Sequence, residues 1–145
     1  MEEELMKRIE YFLEKHPELK GIPATPKEIV KAEEELQIKL DDDYKEFIKR
    51  FGGSYAGIAI HAFSNGASLG NETIIHLTNW CRESFEGDEF SPEINKSLIF
   101  SDDGSGNPIA INANGEVVIY YHDSGDKEVL SKSFGSFVEE NFAEW

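Results

Sequence analysis

Leu98-Ile99-Phe100-Ser101, Asp102-Asp103-Gly104-Ser105-Gly106-Asn107, Pro108-Ile109-Ala110-Ile111-Asn112, Asn114-Gly115 and Val117-Val118-Ile119-Tyr120-Tyr121 follow one another almost without interruption. β-branched and aromatic runs split by Gly, Asn and Asp are the pattern of consecutive antiparallel strands. Asn114-Gly115 has the composition of a type I′ hairpin turn, in which both central residues take positive φ. The stretch predicts a three-strand meander over 98–121. Asp123-Ser124-Gly125-Asp126 reads as a further turn, and 128–130 as a short fourth strand. Because side chains alternate across a strand, only one of Val117 and Val118 is expected to face packed helices.

Outward from the meander, apolar periodicity predicts helices. Leu5, Ile9 and Phe12 mark a helix over 3–16 that Pro17 closes. Thr25-Pro26-Lys27-Glu28 is a helix start, with Thr25 as cap, Pro26 at the first position and Glu28 completing a capping box. Ile29, Ala32, Leu36 and Leu40 form its buried face, and Glu33, Glu34 and Glu35 lie opposite. Asp41 or Asp42 opens the next helix at the positive end of its dipole. Tyr44, Phe47, Ile48 and Phe51 give it an apolar stripe, and Gly52-Gly53 ends it through positive φ.

Residues 57–63 read as a strand with Ile58, Ile60 and Ala62 inward, and 64–70 as a loop. Residues 72–85 read as a helix with Ile74, Leu77, Cys81 and Phe85 on one side, followed by an acidic loop over 86–93. Ser133 caps a last helix that turns Phe134, Phe137, Val138 and Phe142 inward. With helices at both ends and strands grouped between them, the expected fold is α+β. It is a single domain over 1–145, a mostly antiparallel sheet with helices packed against it. One core is expected to bury Tyr44, Phe47, Phe51, Phe100, Ile109, Ile111, Val118, Phe134 and Phe137.

The chain carries 29 acidic and 14 basic residues, a formal net charge of -15. Such a field repels nucleic acid and anionic membrane and attracts basic partners. Aromatic residues make up 12%, enough to argue for a packed core rather than disorder. One cysteine, Cys81, excludes an intrachain disulfide and fits a reducing compartment. Met1-Glu2-Glu3-Glu4 is the reverse of a signal-peptide start. No apolar run approaches the ~20 residues of a membrane span, so the expected location is cytoplasmic. Asn71-Glu72-Thr73 and Asn95-Lys96-Ser97 match the glycosylation pattern by coincidence in that setting.

Motifs for chemistry fail on spacing. A calcium loop started at Asp103 puts Pro108 where glycine is required and Asn114 where a bidentate Glu is required. Gly104-Ser105-Gly106 lacks the Lys-Ser/Thr and the helix of a phosphate loop. His16, His61, His76 and His122 form no local zinc pair, although His61 and His122 sit on expected strands and could meet across a sheet. Cys81 reads as a small core residue, and no Gly-x-Ser-x-Gly elbow occurs. No catalytic residue, cofactor or metal ligand is assigned.

Acidic residues form the clearest pattern outside the core. Asp102, Asp103, Asp123 and Asp126 lie on alternate strand connections, which places them at one end of the sheet, opposite Asn114-Gly115. Glu86, Asp88 and Glu89 form a second patch. Aspartate is also favoured in turns for its local hydrogen bonds. These seven residues are the expected contacts to a basic protein partner.

Four segments resemble the SUKH superfamily, proteins related to a yeast regulator of cell-wall synthesis. Ile29-Val30-Lys31-Ala32-Glu33-Glu34-Glu35-Leu36 with Leu40 is similar to its opening helix. Asp43-Tyr44-Lys45-Glu46-Phe47-Ile48 with Phe51-Gly52-Gly53 resembles its Tyr-Lys-x-Phe-Leu…Asn-Gly-Gly segment. Residues 99–108 resemble its Gly-x-Gly-Asp hairpin, and Ser133-Phe134-Gly135-Ser136-Phe137-Val138 its closing helix. The resemblance covers about 23–142. Asp41-Asp42 stand where the family has a proline before the tyrosine helix, and Asn107-Pro108 where it commonly has Asp and an aromatic.

The resemblance implies a binding protein rather than an enzyme. Bacterial members are mostly immunity proteins that bind and block a cognate toxin domain, often a nuclease or a deaminase. Eukaryotic members are regulatory interaction modules. A regulatory or scaffold module without a toxin is thus the alternative expectation, and a small metal-dependent hydrolase a distant third. Family members vary their binding surfaces, so no contact residue transfers by motif.

Overall fold

The computed structural model describes residues 1–143; Glu144 and Trp145, the last of the 1–145 span, lie outside the described residues. Three helices come first: α1 (Glu3–Lys15), α2 (Pro26–Leu36) and α3 (Asp42–Phe51). A two-stranded ribbon, β1 (Ser54–Tyr55) with β2 (Ala59–Ile60), precedes α4 (Ile74–Ser84) and the one-turn α5 (Ser91–Ile94). The meander follows as β3 (Leu98–Asp102), β4 (Pro108–Ile111), β5 (Val117–Tyr120) and β6 (Lys127–Ser131), and α6 (Phe134–Asn141) closes the fold. Both sheets are antiparallel, the larger in the order β3-β4-β5-β6. The fold is α+β.

Helix ends form where the sequence chemistry puts them. Thr25 and Glu28 make the reciprocal capping box of α2. Asp41 accepts from the Tyr44 N–H at the start of α3, and Ser133 from the Ser136 N–H at the start of α6. The apolar stripe of α3 is completely enclosed. Around it the aromatic rings pack edge-on: Tyr44 to Phe134 at 5.4 Å, Phe47 to Phe134 at 5.9 Å and Phe100 to Phe134 at 5.4 Å.

The large sheet is buried on both faces. Leu98, Phe100, Ile109, Ile111, Val117 and Ile119 pack with α1, α2, α3 and α6 in the main core. Ile99, Ala110, Val118 and Tyr120 point the other way and pack on Cys81, Phe85 and Ile94 of the α4–α5 layer. This corrects two expectations. Val117 and Val118 both face helices, on opposite sides, and Val118 belongs to the second core rather than the first. The physical cause is a strand buried on both faces, which reads as a continuous apolar run.

Three local readings also change. Asn114 is not at positive φ; only Gly115 of the pair is, at 82°. The β4–β5 connection is a turn in which the Gly115 N–H donates to the Asn112 carbonyl, and Asn112 pairs with Glu116. It is a three-residue hairpin with glycine in the left-handed position, since the register Ile111↔Val117 requires the longer loop. The strand expected over 57–63 shrinks to β2, because neighbouring groups take its backbone N–Hs. The His61 N–H donates to the Phe100 carbonyl (2.9 Å) and the Ala62 N–H to Asn65 Oδ1 (2.9 Å). The acidic loop over 86–93 gives way to α5 at Ser91.

Two features fix α4 against the sheet. Phe100 is the extra residue of a bulge between Ile99 and Ser101, and the bulge turns its carbonyl toward His61. Thr78, buried on α4, accepts from the Ile99 N–H at 3.0 Å and lies 3.5 Å from the Ile99 carbonyl. The outer edge of β3 is thereby covered. Among the described residues, no helix is long and apolar enough to cross a membrane.

Candidate functional site

Helix α4 turns Ile74, Thr78 and Cys81 inward. Leu77, expected inward, is only half-buried, and Thr78 takes the inner position instead. On the outer face stand His76 and Trp80, one turn apart. Trp80 is 53% exposed, among the few large apolar side chains left in solvent. Three concavities meet at it. A cleft of about 180 Å³ separates α4 from the end of β3 and is lined by Glu72, His76, Leu77, Trp80, Cys81, Ile99, Ser101, Asp102, Gly106 and Pro108. A hollow of about 500 Å³ runs on past Ser84, Phe85, Asp88, Ser105, Gly106 and His122. A third, of about 470 Å³, lies over Thr73, Ile75, His76, Asn79 and Glu83.

Among the described residues, no Lys or Arg lines any of the three, whereas Glu72, Glu83, Asp88 and Asp102 do. The trough of about 710 Å³ between α2 and α3 is different, since Lys45, Lys49 and Arg50 stand there among Glu33, Asp42 and Glu46. Two of its cations are paired: Lys45 lies 3.5 Å from Asp42 within the trough, and Arg50 reaches Glu3 of α1 at 3.1 Å. Around Trp80 the acidic side chains that line the concavities are Glu72, Glu83, Asp88 and Asp102.

Turn parity holds for the aspartates. Asp102 and Asp103 sit at the β3–β4 connection, and Asp123 and Asp126 at the β5–β6 connection, both at the sheet end away from Gly115. The two connections touch through His122. Its N–H donates to Asn107 Oδ1 at 3.1 Å, and its ring Nε2 lies 3.1 Å from the Ser105 carbonyl. His122 Nδ1 is 2.9 Å from Asp123. His61 is buried on the far side of β3 beside Phe100, so His61 and His122 do not form a pair.

Asp103 builds its own loop, accepting from the Ser105 N–H (2.9 Å), the Asn107 N–H (3.2 Å) and Asn107 Nδ2 (2.8 Å). The Asn107 side chain first, and then the Ser105 amide, hold its carboxyl below the usual range. The Asp102 side chain accepts from the Gly104 N–H at 2.7 Å. A carboxylate has further acceptor capacity to offer.

The second expected patch divides. Asp88 lines the same hollow as Gly106 and His122, so it adjoins the aspartate turns. Its Oδ1 also accepts from the Phe90 N–H. Glu86 and Glu89 are exposed but outside that hollow.

The groups with chemical potential are quiet. Burial pushes the Cys81 thiol up to about 12, far from a reactive thiolate at neutral pH. Tyr120 donates to Glu93, which also binds Lys127 at 2.7 Å. Burial first, and then Glu93, raise the Tyr120 hydroxyl. Burial pushes Glu93 up, but the hydrogen bonds from Lys127 and Tyr120 outweigh it and leave Glu93 lowered. This network ties α5 to β5 and β6. Among the described residues, no group of three or more His, Cys, Asp or Glu could hold a metal ion.

Sequence reasoning missed Trp80, Glu72 and His76. The available signal was position: Trp80 lies off the Ile74, Leu77, Cys81 and Phe85 stripe read from the sequence, so a large aromatic faces water. A family model described as the SMI1 / KNR4 family (SUKH-1) matches residues 23–140. No curated protein matches the chain.

Proposed function

The chain belongs to the SMI1/KNR4 (SUKH-1) family, and from that premise we propose that it is an immunity protein. It neutralises a cognate toxin domain of the nuclease or deaminase class by stoichiometric binding, without catalysis of its own. We take residues 1–145 as one cytoplasmic domain. α1 lies outside the matched segment yet puts Met6, Ile9 and Leu13 into the main core.

One observation carries the reading: among the described residues, exposed Trp80 stands among concavities lined by carboxylates and by no Lys or Arg. Tryptophan is a preferred interface anchor because it buries a large rigid surface. An acidic surround steers a basic partner and rejects acidic ones. Nucleases that grip phosphate are themselves basic where they bind substrate, which is the complement this face requires. Asp102, Asp103, Asp123, Asp126 and Asp88 contribute to that field in this reading, with Glu86 and Glu89 at its margin.

The test is co-expression with the reading frame adjacent to the gene. Restored growth, together with a one-to-one complex in solution, supports immunity. Absence of both, with capture of a non-toxic protein through the same face, supports the regulatory-module alternative instead.

A further inference from the structure

We propose that the cleft between α4 and the end of β3 receives a single arginine side chain of the basic partner. The inference rests on the binding reading above and adds a residue-level ligand to it. The volume, about 180 Å³, is below the ~300–1,000 Å³ of small-molecule and cofactor sites. It suits one inserted side chain.

The walls are built for an amphipathic occupant. Leu77, Ile99 and Pro108 supply apolar surface, and Cys81 closes the floor as a protonated thiol. The aliphatic stem of arginine buries well against such surface. Trp80 stands at the side with its ring largely in solvent, and a guanidinium stacks on an indole face through cation–π attraction. Glu72 comes from the residue before the Thr73 cap of α4, and Asp102 from the end of β3, so carboxylates approach from two elements.

Glu72 is held in place by its backbone, since its carbonyl accepts from Asn65 Nδ2 at 2.8 Å. Its carboxylate lies 3.8 Å from His76 Nε2, and an incoming guanidinium would share that carboxylate with the ring. Arginine fits better than lysine. Its planar fork can engage two carboxylates, and it is more weakly hydrated than an ammonium, so it costs less to bring against apolar walls.

The experiment titrates the tripeptide Ac-Gly-Arg-Gly-NH2 into 15N-labelled protein and follows the Trp80 indole N–H, identified with Trp80→Phe. A saturable shift in the millimolar range is expected. The citrulline peptide, which keeps the shape and lacks the charge, should bind at least ~5-fold more weakly, and the lysine peptide should fall between them. Glu72→Gln and Asp102→Asn should each weaken the arginine peptide by roughly 2–5-fold. Both changes leave acceptors in place, and unchanged amide dispersion verifies the fold. Equal binding of the citrulline peptide, indifference to both substitutions, or no shift at the Trp80 indole overturns the proposal. No toxin is needed, so the two readings fail separately. Arginine binding without growth rescue sinks the immunity reading alone, and rescue without arginine preference sinks the pocket alone.

Discussion

Replacing Thr78 by Val tests whether the α4 layer is docked on the sheet as described. Valine has nearly the same shape, so it opens no cavity and the loss is confined to polar partners. The Ile99 N–H, which now donates to Thr78 Oγ1 at 3.0 Å, would lose its acceptor. Ile99 is only 2% exposed, so water cannot take the place of the hydroxyl. An orphaned buried backbone donor costs about 1–3 kcal/mol. At this chain length that corresponds to a melting point lowered by roughly 3–10 °C. Urea denaturation should show the same loss in the midpoint with an unchanged slope. Thr78→Ser keeps the acceptor and removes only a methyl group, so it should cost about 1 kcal/mol. If Val at 78 is within ~0.5 kcal/mol of wild type, or Ser is the worse of the two, α4 is not held to β3 by this bond and the Trp80 face is misplaced.

Gly53→Ala would put a Cβ 1.9 Å from Asn65 Oδ1 and 2.9 Å from Asn65 Cα; it should cost at least ~2 kcal/mol in a thermal melt. The Asp103 carboxyl is held low by Asn107 and Ser105. Its contribution is therefore full above the unfolded carboxylate range near ~pH 4 and lost as pH falls through the lower folded value. Asp103→Asn should remove that component from an acid-unfolding curve. Replacing Asp102, Asp123 and Asp126 together by Asn removes three negative charges from -15, leaving -12. Association with a basic partner should slow and lose part of its salt dependence, while stability stays within ~0.5 kcal/mol.

Much of the fold was legible because it is written in period and punctuation. α2, α3 and α6 each combine a capping residue with an apolar stripe, and each forms where those signals coincide. The meander was legible from its turns, and turn parity alone placed Asp102, Asp103, Asp123 and Asp126 at one end. Where several backbones converge, local pattern was insufficient. Val118 and Tyr120 lie in a second core because α4 and α5 return over the sheet, a long-range event that no window of residues contains. Residues 57–63 carry strand composition, yet Phe100 and Asn65 take their hydrogen bonds. Gly52-Gly53 read as a helix stop. Its second glycine is also a packing requirement, since Asn65 leaves no room for a side chain there.

The candidate site followed the same division. Its charge was visible in composition, whereas its anchor was not. Helical period turns Cys81 inward and leaves Trp80 off the stripe, but that clefts form around Trp80 depends on the docking of α4 against the sheet. The adjacency of Asp88 to Gly106 and His122 likewise depends on how α4 and α5 cross the sheet.

The central claim is that the acidic face around Trp80 binds the partner, and binding of the purified partner to Trp80→Ala measures it most directly. Truncating a buried interface tryptophan costs about 2–4 kcal/mol, so Kd should rise roughly 30-fold or more, with loss of growth rescue and an unchanged melting point. Val30→Ala, on exposed surface of the α2–α3 trough, should bind as wild type. Wild-type affinity for Trp80→Ala, with binding lost at Val30 instead, would contradict the account.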